Sequence, residues 1–396
     1  MNLSSQQKQF IHLHENENVR DLALRFSRKD LPFLLAQIKG RQMAKHKIPS
    51  WHKNDHLLYP TTLSVEQSSS EITAQYKSSL FPKGKRRFAD ISGGWGVDFY
   101  FLSQLFEEAV YVEQNEELCA IAQHNFNALG LKNVTIKNEK SDDFLQQTPT
   151  FDVIFADPAR RSNTGQKVFK IEDCSPDISQ LKTALLEKSN CVMIKYSPML
   201  DISLAVKTLE NVREVHIVSV DNECKELLFL LYASTLADQN RELIYHTINL
   251  KKNSKTESFS FQPIAERQLE IEFASQLDTY LYEPNASILK AGGFNSVSSA
   301  FSVKKLHKSS HLYTSNALTP KFPGRVFKIQ NQFAPNKKNI RDFLSETKKA
   351  NIAVRNFPMS VDEIRRKTGL KEGGNVYLFA TTLQSEEKVW IFCEKM

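Results

Sequence analysis

The strongest constraint on the fold is an alternation that begins near residue 87. Short apolar runs (RFADIS, EAVYVEQ, VTIKN, DVIFADP and CVMIKYS) are separated by stretches with helical spacing of apolar residues, such as 115–129 and 201–209. Strands interleaved with helices form βαβ units and a largely parallel sheet. The series ends differently. VHIVSV and ELLFLLYA are separated by DNECK alone, which is too short for a crossover helix and reads as a hairpin. The expected fold class is therefore α/β, with a seven-stranded sheet whose last strand runs antiparallel.

The flanks have their own character. Residues 1–75 show helical periodicity, with 51–63 as a polar, proline-punctuated connector. A helix is expected from Leu63, with Ser64 as N-cap and Gln67 as its capping-box partner. HTINLKK and SFSFQP read as a second hairpin, followed by small α+β segments. No apolar run approaches the ~18 residues of a membrane span, and the first twenty residues lack a secretory layout, so the cytoplasm is the expected compartment. The five cysteines are scattered without a CxxC pair, so neither a disulfide framework nor a metal site is expected. Residues 321–396 hold 15 Lys plus Arg against 8 Asp plus Glu, which accounts for the whole net charge of +7. A basic terminal segment on a neutral body points to an anionic partner, most often nucleic acid, against the plainer reading of a solvated basic surface.

The segment DISGGWG, residues 90–96, lies between the first apolar run and the helical stretch FYFLSQLF. Glycines there permit positive φ and close approach of backbone to a ligand. Glu113 ends the second run, 17 residues past Gly96, where a carboxylate can accept ribose hydroxyl hydrogens. A nicotinamide fingerprint needs glycine three residues past Gly96, and Phe99 stands there instead. The segment resembles motif I of class I S-adenosylmethionine methyltransferases, with Ser92 in the first glycine place. That resemblance implies a Rossmann-like methyltransferase sheet and S-adenosylmethionine held by Asp90, Ser92, Gly93, Gly94, Gly96, Glu113 and Gln114. The adenine contact would follow the third strand, at Ser141, Asp142 or Asp143, with the register left open. A plain strand-to-helix turn is the competing reading.

Asp157-Pro158-Ala159-Arg160 closes the fourth run and resembles the [DNS]-P-P-[YFW] motif of enzymes that methylate nitrogens in nucleic acid. The resemblance implies that Asp157 and the Pro158 carbonyl accept hydrogen bonds from the target amine, so that catalysis is mostly positioning. Ala159 replaces the second proline, and Arg160 replaces the aromatic that stacks on an extruded base. Arginine can also stack a base or pair with phosphate; alternatively Arg160 and Arg161 simply meet nearby acids. Covalent catalysis through Cys224 beside Lys225 is a weaker alternative, because that cysteine falls after the strands where such families place theirs.

Wider segments are similar to one bacterial methyltransferase family frequent in Bacteroidetes: QSSSE with Tyr76 and Lys77, ISGGWGVD, FADPARR, IKYSPMLD, NECKELL, YEPNASILKAGGF and HLYTS. The resemblance covers roughly residues 60–396 and implies a methyltransferase domain (76–262), a ferredoxin-like domain (263–322) and a THUMP-like RNA-binding domain (323–396), which follow the N-terminal helical region (1–75) read from periodicity. By analogy the 67–77 motif folds over the cofactor, with Lys77 or Ser69 near the reacting groups, and Lys77, Arg161, Lys195 and Ser197 contact substrate; the alternative reading is that each is an ordinary surface residue. The function expected is methylation of a base nitrogen in ribosomal or transfer RNA. The alternatives are a DNA or small-molecule methyltransferase, or an RNA-binding protein that no longer catalyses.

Overall fold

The computed structural model describes residues 3–160, 170–233 and 242–396. They fall into two compact units, residues 1–215 with 226–241 and residues 216–225 with 242–396.

The first unit is built on strands β1 (Lys85–Asp90), β2 (Phe106–Val112), β3 (Val134–Lys137), β4 (Phe151–Ala156), β5 (Ser189–Tyr196), β6 (Val212–Val220) and β7 (Glu223–Tyr232). Their order is β6-β7-β5-β4-β1-β2-β3. β1, β2, β3, β4 and β5 pair in parallel, and β7 pairs antiparallel with β5. FDVIFA and SNCVMIKY are buried along nearly their whole length, as strands covered on both faces must be. The expected hairpin turns at Asp221 and Asn222, whose φ values of 48° and 67° suit a tight two-residue turn. The last strand is antiparallel, as the short DNECK link requires, and it enters between β5 and β6.

The N-terminal region is helical, with Ser5–His14, Val19–Arg25 and Leu31–Lys47 packed around Ile11, Leu22, Leu34 and Ile38. The 51–63 connector is buried in part. Trp51, Leu57, Leu58 and Tyr59 are all at most 2% exposed and pack with Trp95, Val97 and Ile121. Buried extended backbone needs partners, and two side-chain amides provide them. Gln37 donates to the Tyr59 carbonyl (2.8 Å) and accepts from its N–H (2.9 Å). Asn125 does the same for Leu58, at 2.8 Å each way. The expected capping box also gives way. The helix is Thr62–Gln67 with Thr61 as N-cap, so Ser64 lies inside it and Gln67 is its last residue.

In the second unit the distal half of β6, from His216, is followed in the ladder by β8 (Ile244–Leu250) and then β9 (Glu257–Phe261), so the sheet carries two strands beyond the seven expected. β8 and β9 form the anticipated second hairpin. A separate seven-stranded sheet, counted among the described residues, has the order Lys304–Lys305, Tyr313–Ser315, Tyr280–Pro284, Gly324–Phe333, Lys388–Lys395, Val376–Thr382, Asn351–Arg355. Its outer pair, Val376–Thr382 with Asn351–Arg355, is parallel. The helices Lys337–Glu346 and Val361–Thr368 contribute Ile340, Phe343, Leu344 and Ile364 to a core with Leu378, Trp390 and Phe392.

Candidate active site

The loop after β1 is shaped by close packing. A Cβ on Gly93 would come within 2.2 Å of the Tyr111 ring, and one on Gly96 within 2.6 Å of the Phe126 ring. Gly96 also has φ +85°, which favours glycine. Tyr111 is fully buried, and its hydroxyl donates to the Gly94 carbonyl. Gly93→Ala is therefore expected to cost about 1–3 kcal/mol of stability, because the ring has nowhere to retreat. Urea unfolding checks this, and an unchanged midpoint would contradict it.

Ser92, the departure from the glycine pattern, has a bonding role. Its N–H and hydroxyl donate to Asp90 Oδ1 at 2.9 and 3.2 Å, and the hydroxyl oxygen accepts from the Asp157 N–H at 2.6 Å. One side chain thus fastens the carboxyl end of β1 to that of β4. Glu113 is held by the N–H groups of Gly94 (to Oε2) and Asn115 (to Oε1), each at 2.9 Å. A carboxylate oxygen has more than one acceptor position, so both can take further donors. Ser141 donates to the Ile91 carbonyl at 2.7 Å, bringing the segment after β3 alongside.

These residues line one cleft of about 470 Å³. Its walls include Asp90, Ser92, Gly93, Gly94, Gly96, Glu113, Gln114, Ser141, Asp142, Asp157 and Ala159. Gln67, Ser68 and Ser69 of the 67–77 motif reach it as well. Among the described residues no cysteine lines it. The donor set fits S-adenosylmethionine: a tight backbone turn, a carboxylate with free acceptor positions at the end of β2, and polar side chains after β3.

Behind the cleft is a buried ionic network. Lys77 is fully buried, and its Nζ lies 2.6 Å from Glu226 Oε1, 3.2 Å from Asp98 Oδ1 and 3.2 Å from Ser69 Oγ. Lys195 Nζ lies 2.6 Å from Asp157 Oδ2, 3.0 Å from Ser69 Oγ and 3.6 Å from Asp98 Oδ2. Ser69 donates to Asp98 Oδ2 at 2.6 Å. Burial raises the Asp157 carboxyl above its ordinary value, and Lys195 opposes that. For Asp98 burial is the largest influence, but Lys77 and Lys195 together outweigh it and hold the carboxyl low.

The placements correct part of the expected substrate set. Lys77 was expected to contact substrate; with no exposed surface and its ammonium committed to Glu226 and Asp98, it faces the protein instead. Lys195 turns to Asp157 and is 7% exposed. Ser197 is exposed and accepts from the Met199 N–H. Pro158 is buried, and the backbone of Ala159 and Arg160 pairs with Cys174–Ser175. Arg161 lies outside the described residues. Asp98 and Glu226 were not anticipated as functional. Both fall within matching segments, ISGGWGVD and NECKELL; the available signal was an acid in an otherwise apolar helix start for Asp98 and an acid leading an apolar strand for Glu226.

Comparison with known proteins adds three family matches: Conserved hypothetical protein 95 over residues 37–221, a ferredoxin-like domain over 280–323 and a THUMP domain-like family over 324–395. A crystal structure from Porphyromonas gingivalis W83, assigned as a methyltransferase, is 30% identical, covers 100% of both chains and superposes with a TM-score of 0.88. A Streptococcus mutans structure assigned as a methyltransferase, in complex with SAH, is 15% identical over 40% of this chain and 94% of that one, with a TM-score of 0.31. An rRNA methylase from Streptococcus thermophilus is 11% identical over 40% and 93%, also at 0.31. Scores that low carry no weight for activity. No curated protein matches the sequence.

Proposed function

The chain belongs to the family of the Porphyromonas methyltransferase, with ferredoxin-like and THUMP-like domains, and from that premise we propose that it uses S-adenosylmethionine to methylate a base nitrogen in ribosomal or transfer RNA. One observation carries the reading: Asp157 and Ala159, at the end of β4, share a single cleft with Gly94 and Glu113. The bound cofactor supplies an electrophilic methyl carbon on a sulfonium. Glu113 would accept hydrogen bonds from its ribose hydroxyls, and the Gly93–Gly94 backbone would lie against it. Asp157 and the Pro158 carbonyl accept the N–H groups of the target amine and aim its lone pair at the methyl carbon. The proton that the amine gives up on methylation would pass to the Asp157 carboxylate, which burial makes a better base than an ordinary carboxylate. The basic segment 321–396 captures RNA through phosphate contacts, so binding weakens steeply with salt. The domain edges near 75, 262 and 322 belong to the same proposal.

Two measurements test it. Saturation with S-adenosylmethionine at about 100 times its dissociation constant should add about 2.7 kcal/mol of stability, seen as a rise in melting temperature; no rise sinks the enzyme readings. Mass spectrometry of nucleosides from a deletion strain should show one methylated nucleoside missing from ribosomal or transfer RNA and restored by the wild-type chain. Complete nucleoside profiles in both would refute the RNA assignment and leave DNA or a small molecule.

A further inference from the structure

The chain is basic overall, yet its cleft is strongly acidic. Among the described residues lining it, Asp90, Asp98 and Asp157 are joined by Glu113, Glu139, Asp142 and Asp177, against Lys140 alone. The two lysines behind the cleft do not restore balance. Lys77 and Lys195 are shared among Glu226, Asp98 and Asp157, and Asp90 is a fourth acid against two bases. Asp90 is 1% exposed, and its Oδ1 accepts both Ser92 bonds. Its Oδ2 has no partner among the described residues, so this buried carboxylate borders the cleft with no cation beside it.

A site with surplus carboxylates, one of them fully buried, binds a cation better than a neutral molecule of the same shape. Transfer of the methyl group makes that distinction, because it turns a sulfonium into a neutral thioether. Resting on the cofactor reading above, we propose that the cleft selects by charge the methyl donor over its demethylated product, and that Asp90 and Asp157 carry this selection. The groups around them set the direction with pH. Asp90 is pushed well above the ordinary carboxylate range by burial, and the neighbouring Asp98 and Asp157 add to the rise. Asp157 is raised by burial and by Asp98, against Lys195 and Lys77. Both acids lose their protons as pH rises, so the preference for a cation grows with pH and cation binding releases a proton. Fresh donor then displaces the product of each turnover more effectively than it would from a neutral cleft.

Calorimetry on the full chain tests this, using S-adenosylmethionine, S-adenosylhomocysteine and the amine analogue sinefungin, which carries a protonated amine in place of the sulfonium. The ratio of the S-adenosylhomocysteine to the S-adenosylmethionine dissociation constant should rise about tenfold as pH climbs from the ordinary carboxylate range of about 4 through neutrality. Sinefungin should follow the sulfonium compound, and only the two cations should release protons on binding, read from buffers of different ionisation enthalpy. Asp90→Asn and Asp157→Asn should each flatten the rise. If Asp90→Asn does not fold, the wild type and Asp157→Asn decide the matter. A ratio constant within twofold, with both compounds bound, overturns the charge selection and leaves the cofactor reading intact. Failure of all three to bind overturns the cofactor reading itself.

Discussion

Asp157→Ala is expected to slow methyl transfer by about 10³-fold, in the range lost when a positioned acceptor is removed from a reacting group. Affinity for S-adenosylhomocysteine should change by less than about threefold. The contact that fastens this segment to the cofactor loop runs from the Asp157 backbone N–H to Ser92 Oγ, and alanine keeps it. The wild-type pH profile should carry the same residue's signature. Burial raises the Asp157 carboxyl, and only the ionised form is a pure acceptor. Activity should therefore fall as pH drops through a value above the usual carboxylate range of about 4. Single-turnover rates with bulk RNA from the deletion strain give the rate loss and the pH profile, and calorimetry gives the affinity. A variant within tenfold of wild type would remove Asp157 from the catalytic role.

Lys77→Met is expected to destabilise the protein by about 3–5 kcal/mol, the usual loss when one partner of a buried ion pair is removed. Methionine nearly matches the side chain in volume, so the loss reflects stranded charge rather than a cavity. Asp98 and Glu226 would remain buried without their shared ammonium. The double variant Lys77→Met/Glu226→Leu should recover part of the loss, because it removes one of the stranded acids. Urea unfolding reads both. A single-variant loss below about 1 kcal/mol would mean that water or a proton compensates freely, and that the network is not a structural anchor.

How far the residues themselves announced this arrangement depends on chain separation. The α/β alternation, the loop at 90–96 and the carboxylate at 113 were legible because each signal is local: a period, a turn, a fixed offset. The antiparallel last strand was legible because five residues cannot cross a sheet. Its insertion between β5 and β6 was not, since strand order is settled by packing of the completed sheet. The Lys77–Glu226 pair joins residues 149 positions apart, and no periodicity reports such a contact. Lys77 therefore looked like a surface lysine near the cleft. The partial burial of the 51–63 connector was hidden for a related reason. Its polar and proline content marked the connector but not Gln37 and Asn125, which satisfy its backbone and allow it to be buried in part. Ser92 read as a flaw in the glycine pattern until its hydroxyl was seen to join β1 to β4.

The strand Gly324–Phe333 bears on how the C-terminal part of this chain holds together. Family comparison divides the chain between residues 323 and 324, just where that strand begins. The strand nevertheless pairs with Tyr280–Pro284 on one side and Lys388–Lys395 on the other. Two segments matched by separate family models therefore share one sheet, and the seam between them is a row of main-chain hydrogen bonds rather than a linker. A recombination event cutting at that seam would leave both pieces with a raw sheet edge, a template for aggregation. The two modules are accordingly expected to fold as one piece, and either half, excised, to aggregate where the two together do not.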